Sequence, residues 1–146
     1  MADWQQVEAE APELAAAVRA CFAVRKHATM ATLRADGSPR ISGTEVQWDD
    51  GALWVGSMPG ALKARDLQRD ARVAVHSPTV DPPEGDDSAW AGEAKVAGRA
   101  VEVPTEDGSH RFRIDLAEVV HTRVDGDALL ITSWHPGRAM EVRRAG

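Results

Sequence analysis

The sequence of 146 residues predicts a mainly β protein, an antiparallel barrel of six or seven strands with one N-terminal helix and a short helix after strand three. Three observations predict this class. Apolar residues recur at helical spacing before Ala28, and the pattern changes to strand-like alternation after it. Tight-turn signals such as ADGSP and DDG separate the strand-like runs. Short strands at this spacing favour a barrel, which removes the edges that an open sheet exposes.

The N-terminal helix is expected over about residues 12–24. Leu14, Val18, Cys21 and Phe22 form one apolar stripe, and Pro12 suits the first helical turn because its missing N–H costs nothing there. Cys21 is the single cysteine, which excludes an intrachain disulfide framework and is typical of a reducing compartment. Because it lies in the apolar stripe, we expect a buried structural thiol.

The first three strands are expected to form an antiparallel meander, followed by a short helix and further strands. Gly92 and Gly98 in the fifth strand indicate a bulge or a close backbone approach. The stretch 135–146 is expected to leave the sheet. The predicted elements are strands at about 28–34, 39–48, 52–57, 71–77, 91–103, 110–124 and 128–134, a helix at about 60–69, and a solvated loop at 78–90. One face of the long strand is predicted to carry Phe112, Ile114, Leu116, Val120 and Val124.

Composition and charge narrow the class of protein. The net charge is −6 and the arginines form no basic run, so nucleic acid is not an expected partner. No apolar run approaches the roughly 20 residues that span a bilayer, and the acidic start MADWQQVEAEAPE lacks the apolar segment of a signal peptide. We therefore expect a cytoplasmic protein with no membrane partner. No repeat or linker divides residues 1–146, which are expected to form one domain.

Standard catalytic motifs do not occur in the sequence. It has no phosphate-binding P-loop, no dinucleotide glycine fingerprint and no nucleophile elbow. Its five histidines lack the short spacing of zinc ligands, so no metal site is expected. His76 and His135 are candidates for a general acid, and Trp54 and Trp134 for stacking on a ring, but structural roles are the stronger expectation for all four. The catalytic residues are left unassigned.

The segment WVGSMPGALKARDL, from Trp54 to Leu67, is the best candidate for a binding site. It ends a strand at Ser57, turns through Met-Pro-Gly and starts a helix whose first N–H groups have no partners within the helix. A helix N-terminus attracts anions, and Lys63 in the first turn could reach the same anion. The segment therefore predicts a phosphate site. An ordinary strand-to-helix turn with a solvated lysine is the alternative.

The second strand contains an unusual Gly43-Thr44-Glu45 sequence at its middle. Glycine weakens a strand unless something approaches its backbone closely. A planar ring lying on the sheet would explain this glycine. A bulge at a barrel corner explains it equally well.

Three stretches together resemble the pyridoxamine 5'-phosphate oxidase-like FMN-binding split β-barrel superfamily of flavin and deazaflavin oxidoreductases. They are HATMATLRADGSPRIS, GALWVGSMPGALKARDLQRDARVAVHS and AKVAGRAVEV, within residues 27–103. The resemblance implies a split β-barrel and a homodimer with two cofactor sites at the subunit interface. It implies an FMN-dependent oxidoreductase that acts on an unknown small molecule. By position it implies cofactor contacts at Arg40, Ser42, Gly43, Thr44, Val55, Ser57 and Lys63.

Two departures from the family pattern leave the cofactor open. Leu62 stands where many members have an arginine beside the lysine, and Glu45 stands where they have a second basic residue. The resemblance to vitamin B6 oxidases therefore does not extend to their activity. The deazaflavin F420, used by an F420-dependent reductase, is the alternative cofactor. A non-catalytic flavin or haem carrier is the alternative from another functional class.

Overall fold

A computed structural model describes residues 2–146 and confirms the mainly β, antiparallel class. In this part of the chain, three α-helices accompany nine strands and one 3₁₀ turn. The helices are Trp4–Glu10 (α1), Pro12–Ala23 (α2) and Leu62–Arg69 (α3). The strands are β1 (Ala28–Leu33), β2 (Pro39–Thr44), β3 (Val46–Asp49), β4 (Ala52–Ser57), β5 (Arg72–His76), β6 (Glu93–Val103), β7 (His110–Asp125), β8 (Ala128–Trp134) and β9 (Glu141–Ala145).

All strand pairs are antiparallel, in the order β2-β1-β5-β6-β7-β4-β3, and β8 and β9 continue from β7. The long strand β7 pairs with β4 through its first residues and with β8 through its last. Strands β2 and β3 lie at opposite ends of this order, although only Glu45 separates them along the chain. The sheet is therefore not closed by hydrogen bonds, as expected of a split barrel.

The predicted second strand, 39–48, is two strands. Residues of β2 pair with β1, whereas residues of β3 pair with β4, and Glu45 is the break between them. The prediction that the first three strands form one continuous meander was therefore wrong at this point. The chain changes partner directly after Gly43 and Thr44, as expected where a barrel turns a corner. This break opens the sheet beside the start of α3.

Helix α1 was not predicted from the sequence, whereas α2 matches its predicted bounds closely. Trp4 and Val7 of α1 are buried, and the ring of Trp4 lies 4.6 Å from that of Trp48. Asp3 caps α1 by accepting a hydrogen bond from the Gln6 N–H at 3.0 Å. This capping residue is the sequence signal that could have found the helix. Helix α2 packs against β6 and β7.

Cys21 lies buried in α2, as the apolar stripe predicted. Its Sγ lies 3.6 Å from the Ala91 carbonyl oxygen. Burial and the nearby Glu93 carboxylate raise the pKa of the thiol. The thiolate is therefore disfavoured at neutral pH, as expected of a structural cysteine.

Gly98 lies at the close backbone approach that was predicted in the fifth strand, beside a bulge whose extra residue is Ala117 of β7. The pairing of β6 with β7 shifts between Ala97 and Gly98, and a Cβ on Gly98 would lie 2.0 Å from the Asp115 carbonyl oxygen. The extra residue also shifts the alternation in β7, so that Val119 joins the hydrophobic core after Leu116. The apolar face predicted for β7 therefore continues only as far as Leu116. Beyond it the bulge exchanges the two faces of the strand.

The predicted departure of residues 135–146 from the sheet was wrong. Residues 141–145 form β9, whose register with β8 runs from Ser133 opposite Glu141 to Leu129 opposite Ala145. Its side chains are mostly exposed and charged, so the sequence shows no hydrophobic alternation there. Among residues 2–146, no helix is long and apolar enough to cross a membrane.

Candidate functional site

The segment WVGSMPGALKARDL forms a strand end, a turn and a helix start, as predicted. We refer to the turn, Met58-Pro59-Gly60, as the hinge. Strand β4 ends at Ser57, Gly60 adopts a left-handed φ of 77°, and α3 begins at Leu62. The N-cap of α3 is Ala61, which has no side chain to accept a hydrogen bond. The first N–H groups of α3 therefore carry the partial positive charge of a helix terminus without a capping side chain.

A cleft of about 750 Å³ opens at this helix start, and we refer to it as the α3 cleft. One wall comes from the β2–β3 corner, and another from the end of β4, the hinge and α3. The loop before β7 and the first residues of β7 complete it. The lining residues are His27, Gly43, Thr44, Glu45, Val46, Gln47, Gly56, Ser57, Met58, Pro59, Ala61, Lys63, Thr105, Asp107, Ser109, His110 and Arg111.

Four of the residues that sequence analysis assigned to cofactor binding meet in the α3 cleft: Gly43, Thr44, Ser57 and Lys63. The Lys63 ammonium donates a hydrogen bond to the Gly43 carbonyl oxygen at 2.8 Å, which holds it against the wall formed by β2. Ser57 Oγ is buried and has no hydrogen-bond partner among residues 2–146. A buried hydroxyl without a partner is costly, so a bound molecule or a water that hydrogen-bonds it would stabilise the site.

The three other predicted residues do not line the α3 cleft. Val55 is buried in the hydrophobic core, because alternation along β4 turns its side chain away from the face of Gly56. Ser42 precedes the corner on β2 and does not reach the lining. Arg40 lines a neighbouring cleft, described next.

Arginines gather in a second cleft of about 530 Å³ on the other side of the start of α3. It is lined by Arg34, Ala35, Asp36, Arg40, Leu62, Arg65, Asp66 and Arg69, and we refer to it as the arginine cleft. Arg40 Nε donates to the buried Asp66 carboxylate at 2.7 Å, and Arg69 donates to it at 2.9 Å. Thr32 adds a third hydrogen bond at 2.7 Å. Arg40 therefore connects β2 to α3 through its ion pair with Asp66.

The Asp66 carboxylate stays ionised although it is buried, because its hydrogen-bond partners stabilise the charged form. Burial alone raises its pKa, but the hydrogen bonds from Arg40, Thr32 and Arg69 outweigh this effect and lower the pKa below the usual aspartate value. An aspartate whose pKa is lowered by folding stabilises the folded state above its unfolded pKa. That contribution is lost as the pH falls through the lowered pKa.

We predict that Asp66→Asn lowers the free energy of unfolding by about 3 kcal/mol at pH 7. The difference from the wild-type protein should shrink as the pH falls from 6 towards 2, because the wild-type carboxylate becomes protonated. Urea unfolding at a series of pH values measures both effects. Asp81→Asn, in the exposed 78–90 loop, is the control. A difference that stays constant with pH would contradict this role of Asp66.

The two histidines named as acid candidates lie outside the α3 cleft. His76 contacts the Glu93 carboxylate at 2.8 Å, and His135 contacts Glu118 at 2.9 Å. His110, which sequence analysis did not select, lines the cleft and contacts Glu102 at 2.8 Å. No local motif marks this pair, because pairing between β6 and β7 is what brings the two residues together.

Trp54 and Trp134 have partners within the protein, as expected for structural roles. Trp54 Nε1 donates to the Asp49 carbonyl oxygen at 2.9 Å, and the Arg111 guanidinium lies 3.7 Å from its ring centre. Trp134 is buried, and its Nε1 donates to Glu10 at 3.2 Å. Within residues 2–146, no group of histidine, cysteine and acidic side chains is arranged to hold a metal ion.

The antiparallel sheet, which hydrogen bonds do not close, and the cleft at a helix start define the class of protein, a split-barrel protein. The chain belongs to the pyridoxamine 5'-phosphate oxidase family, whose model matches residues 14–134. This match covers most of the chain and confirms the resemblance found in the sequence. No curated protein sequence matches the chain significantly.

Solved structures with the same fold are similar to this chain at low sequence identity. A pyridoxamine 5'-phosphate oxidase-related, FMN-binding protein from Nostoc punctiforme has a TM-score of 0.65 at 10% identity, over 100% of this chain and 98% of its own. A haem-binding protein from Mycobacterium smegmatis has a TM-score of 0.58 at 19% identity, over 88% and 57%. An F420 reductase has a TM-score of 0.51 at 15% identity, over 68% and 93%. These likenesses concern the fold.

Proposed function

We propose that this protein binds FMN in the α3 cleft, at the interface of a homodimer, and is an oxidoreductase acting on a small molecule. The observation that carries the proposal is the buried Ser57 hydroxyl, which has no partner among residues 2–146 and belongs to a residue that lines the same cleft as Lys63 and the uncapped start of α3. Membership of the family and the fold shared with an FMN-binding protein support it.

The polar groups of the α3 cleft fit the phosphate of FMN. Lys63 supplies a positive charge, Ser57 supplies a hydroxyl, and the first N–H groups of α3 supply donors. Charge-assisted hydrogen bonds of this kind are among the strongest in proteins. Glu45 and Asp107 also line the cleft and oppose an anion, so we expect the phosphate near Lys63 and away from these carboxylates.

Gly43 fits the flat ring of a flavin. A Cβ on Gly43 would have no atom within 4 Å, so the space over this residue is open. Gly56 on β4 also lines the cleft, but a Cβ there would lie 3.2 Å from the His110 carbonyl oxygen, so the space over it is taken. A flavin ring could therefore approach the backbone at Gly43.

The cofactor would supply the redox chemistry, and the chain would bind it, orient it and limit the access of water. Lys63, Ser57 and α3 would fix the phosphate end. The open space over Gly43 would admit the ring.

Exposed apolar side chains on β2, the hinge and α3 support the homodimer. Met58 is 79% exposed, Ile41 75% and Leu62 57%. Large apolar residues this exposed are typical of a surface that a partner covers. A second copy of the chain on this surface would close the open side of the α3 cleft.

The arginine cleft favours F420 as the second candidate cofactor. It places four arginines, at positions 34, 40, 65 and 69, beside the helix start that would hold the phosphate. The long acidic tail of F420 needs such a basic surface. Asp66 already neutralises part of this charge through Arg40 and Arg69, so FMN remains our first choice.

Titration of the purified protein with FMN, F420 and haem tests this proposal. We expect FMN to bind one equivalent per chain, with changes in its absorption and fluorescence, and a dimer in sedimentation. Oxidation of NADPH with an added acceptor would then distinguish an enzyme from a flavin carrier. Binding of haem alone, or binding of none of the three, would contradict the proposal.

A further inference from the structure

His110 occupies a position in the α3 cleft that the proposed phosphate site does not use. It is the first residue of β7 and lies directly opposite Ser57 in the pairing of β7 with β4. Residues directly opposite in antiparallel strands place their side chains on the same face. His110 therefore stands beside the buried hydroxyl that lacks a partner.

A chain of hydrogen bonds fixes the His110 ring from behind. Its Nδ1 donates to Glu102 Oε2 at 2.8 Å, and Gln68 Nε2 donates to Glu102 Oε1 at 2.9 Å. The ring also stacks on Phe112, with 6.4 Å between centres and 14° between planes. This leaves Nε2 as the nitrogen without a partner in residues 2–146, on a residue that lines the cleft.

The Glu102 carboxylate fixes the orientation of the histidine ring. Hydrogen bonds from His110 and from Gln68 hold the pKa of Glu102 below its usual value, so it is ionised at neutral pH. An ionised carboxylate that accepts a hydrogen bond from Nδ1 orients the imidazole. The other titratable groups that line the cleft around His110 are His27, Glu45, Lys63, Asp107 and Arg111.

We propose that His110, positioned by Glu102, hydrogen-bonds through Nε2 to the ligand held in the α3 cleft, next to Ser57. This inference rests on the proposed function and adds a residue to its binding site. The arrangement differs from a hydrolytic triad, in which the serine hydroxyl donates to the histidine, because Ser57 Oγ makes no hydrogen bond with any residue of 2–146. The cleft thus offers the bound molecule an imidazole and a hydroxyl side by side.

The FMN affinity of matched variants tests the inference. We expect His110→Ala to weaken FMN binding about tenfold, because the hydrogen bond from the ring is lost. Glu102→Gln should weaken it by a smaller factor, because the ring remains but loses the ionised carboxylate that orients it.

The chain offers a matched control in His135→Ala, because His135 has the same kind of carboxylate partner outside the cleft. It should keep the wild-type FMN affinity. In the wild-type protein labelled with ¹⁵N-histidine, FMN should shift the Nε2 resonance of His110 and leave that of His135 unchanged. This spectrum needs no variant, so misfolding of His110→Ala cannot prevent the test.

Two different failures are distinguishable. If the wild-type protein binds FMN, but His110→Ala binds it equally tightly and the His110 resonance does not move, the inference is overturned and the proposed function stands. If the wild-type protein binds neither FMN nor F420, the proposed function is overturned and the inference falls with it.

Discussion

Replacing Lys63 with alanine is expected to weaken FMN binding by about 10- to 100-fold. Its ammonium is held at the wall of the α3 cleft by the Gly43 carbonyl oxygen, 2.8 Å away, in the first turn of α3. Leu62 cannot compensate, because an apolar side chain stands where a second basic group would be needed. Flavin fluorescence titration measures the loss.

The matched control is Lys95→Ala, which removes an exposed lysine of β6 and the same charge. Its FMN affinity should equal that of the wild-type protein. Thermal unfolding of both variants should change little, because Lys63 is not buried and Lys95 is exposed. Equal FMN affinity of Lys63→Ala and the wild-type protein would contradict our assignment of the phosphate position.

Replacing Gly98 with alanine is expected to lower the free energy of unfolding by at least about 3 kcal/mol. The new Cβ would lie 2.0 Å from the Asp115 carbonyl oxygen and 3.1 Å from the Leu116 Cα. Both are backbone atoms of the neighbouring strand, so no flexible side chain can move aside. The β6–β7 pair must separate locally, and its hydrogen bonds lengthen. Urea unfolding measures the change.

Gly43→Ala is the control for this prediction, because a Cβ at Gly43 meets no atom within 4 Å and Gly43 has no left-handed φ. Its stability should stay within about 1 kcal/mol of the wild-type value. If Gly98→Ala were as stable as Gly43→Ala, the bulge and the close approach of β6 to β7 would be wrong.

Local interactions explain which parts of the fold could be predicted from the sequence. The Asp50-Gly51 turn, with φ values of 51° and 71°, depends on its own two residues, and so was predicted. The division of strand two at Glu45 depends on which neighbour each half can pair with. Strand β9 depends on an available edge of β8, which its exposed, charged residues do not reveal.

The candidate site was predictable where its residues lie close together along the chain. Ser57 and Lys63 belong to one strand–turn–helix segment, whose spacing alone brings both to the α3 cleft. Arg40 was assigned to the same anion by position, but its contact with Asp66 depends on how α3 packs beside β2. The pairing of His110 with Glu102 likewise depends on strand register, which the sequence does not specify.

The central claim is that FMN occupies the α3 cleft, and amide hydrogen exchange with and without FMN tests it most directly. FMN should slow exchange in the β2–β3 corner, residues 43–47, and in the hinge and start of α3, residues 56–64. Peptides of β8 and β9 should exchange at unchanged rates. Protection confined to residues outside these two segments, or none at saturating FMN, would contradict the claim.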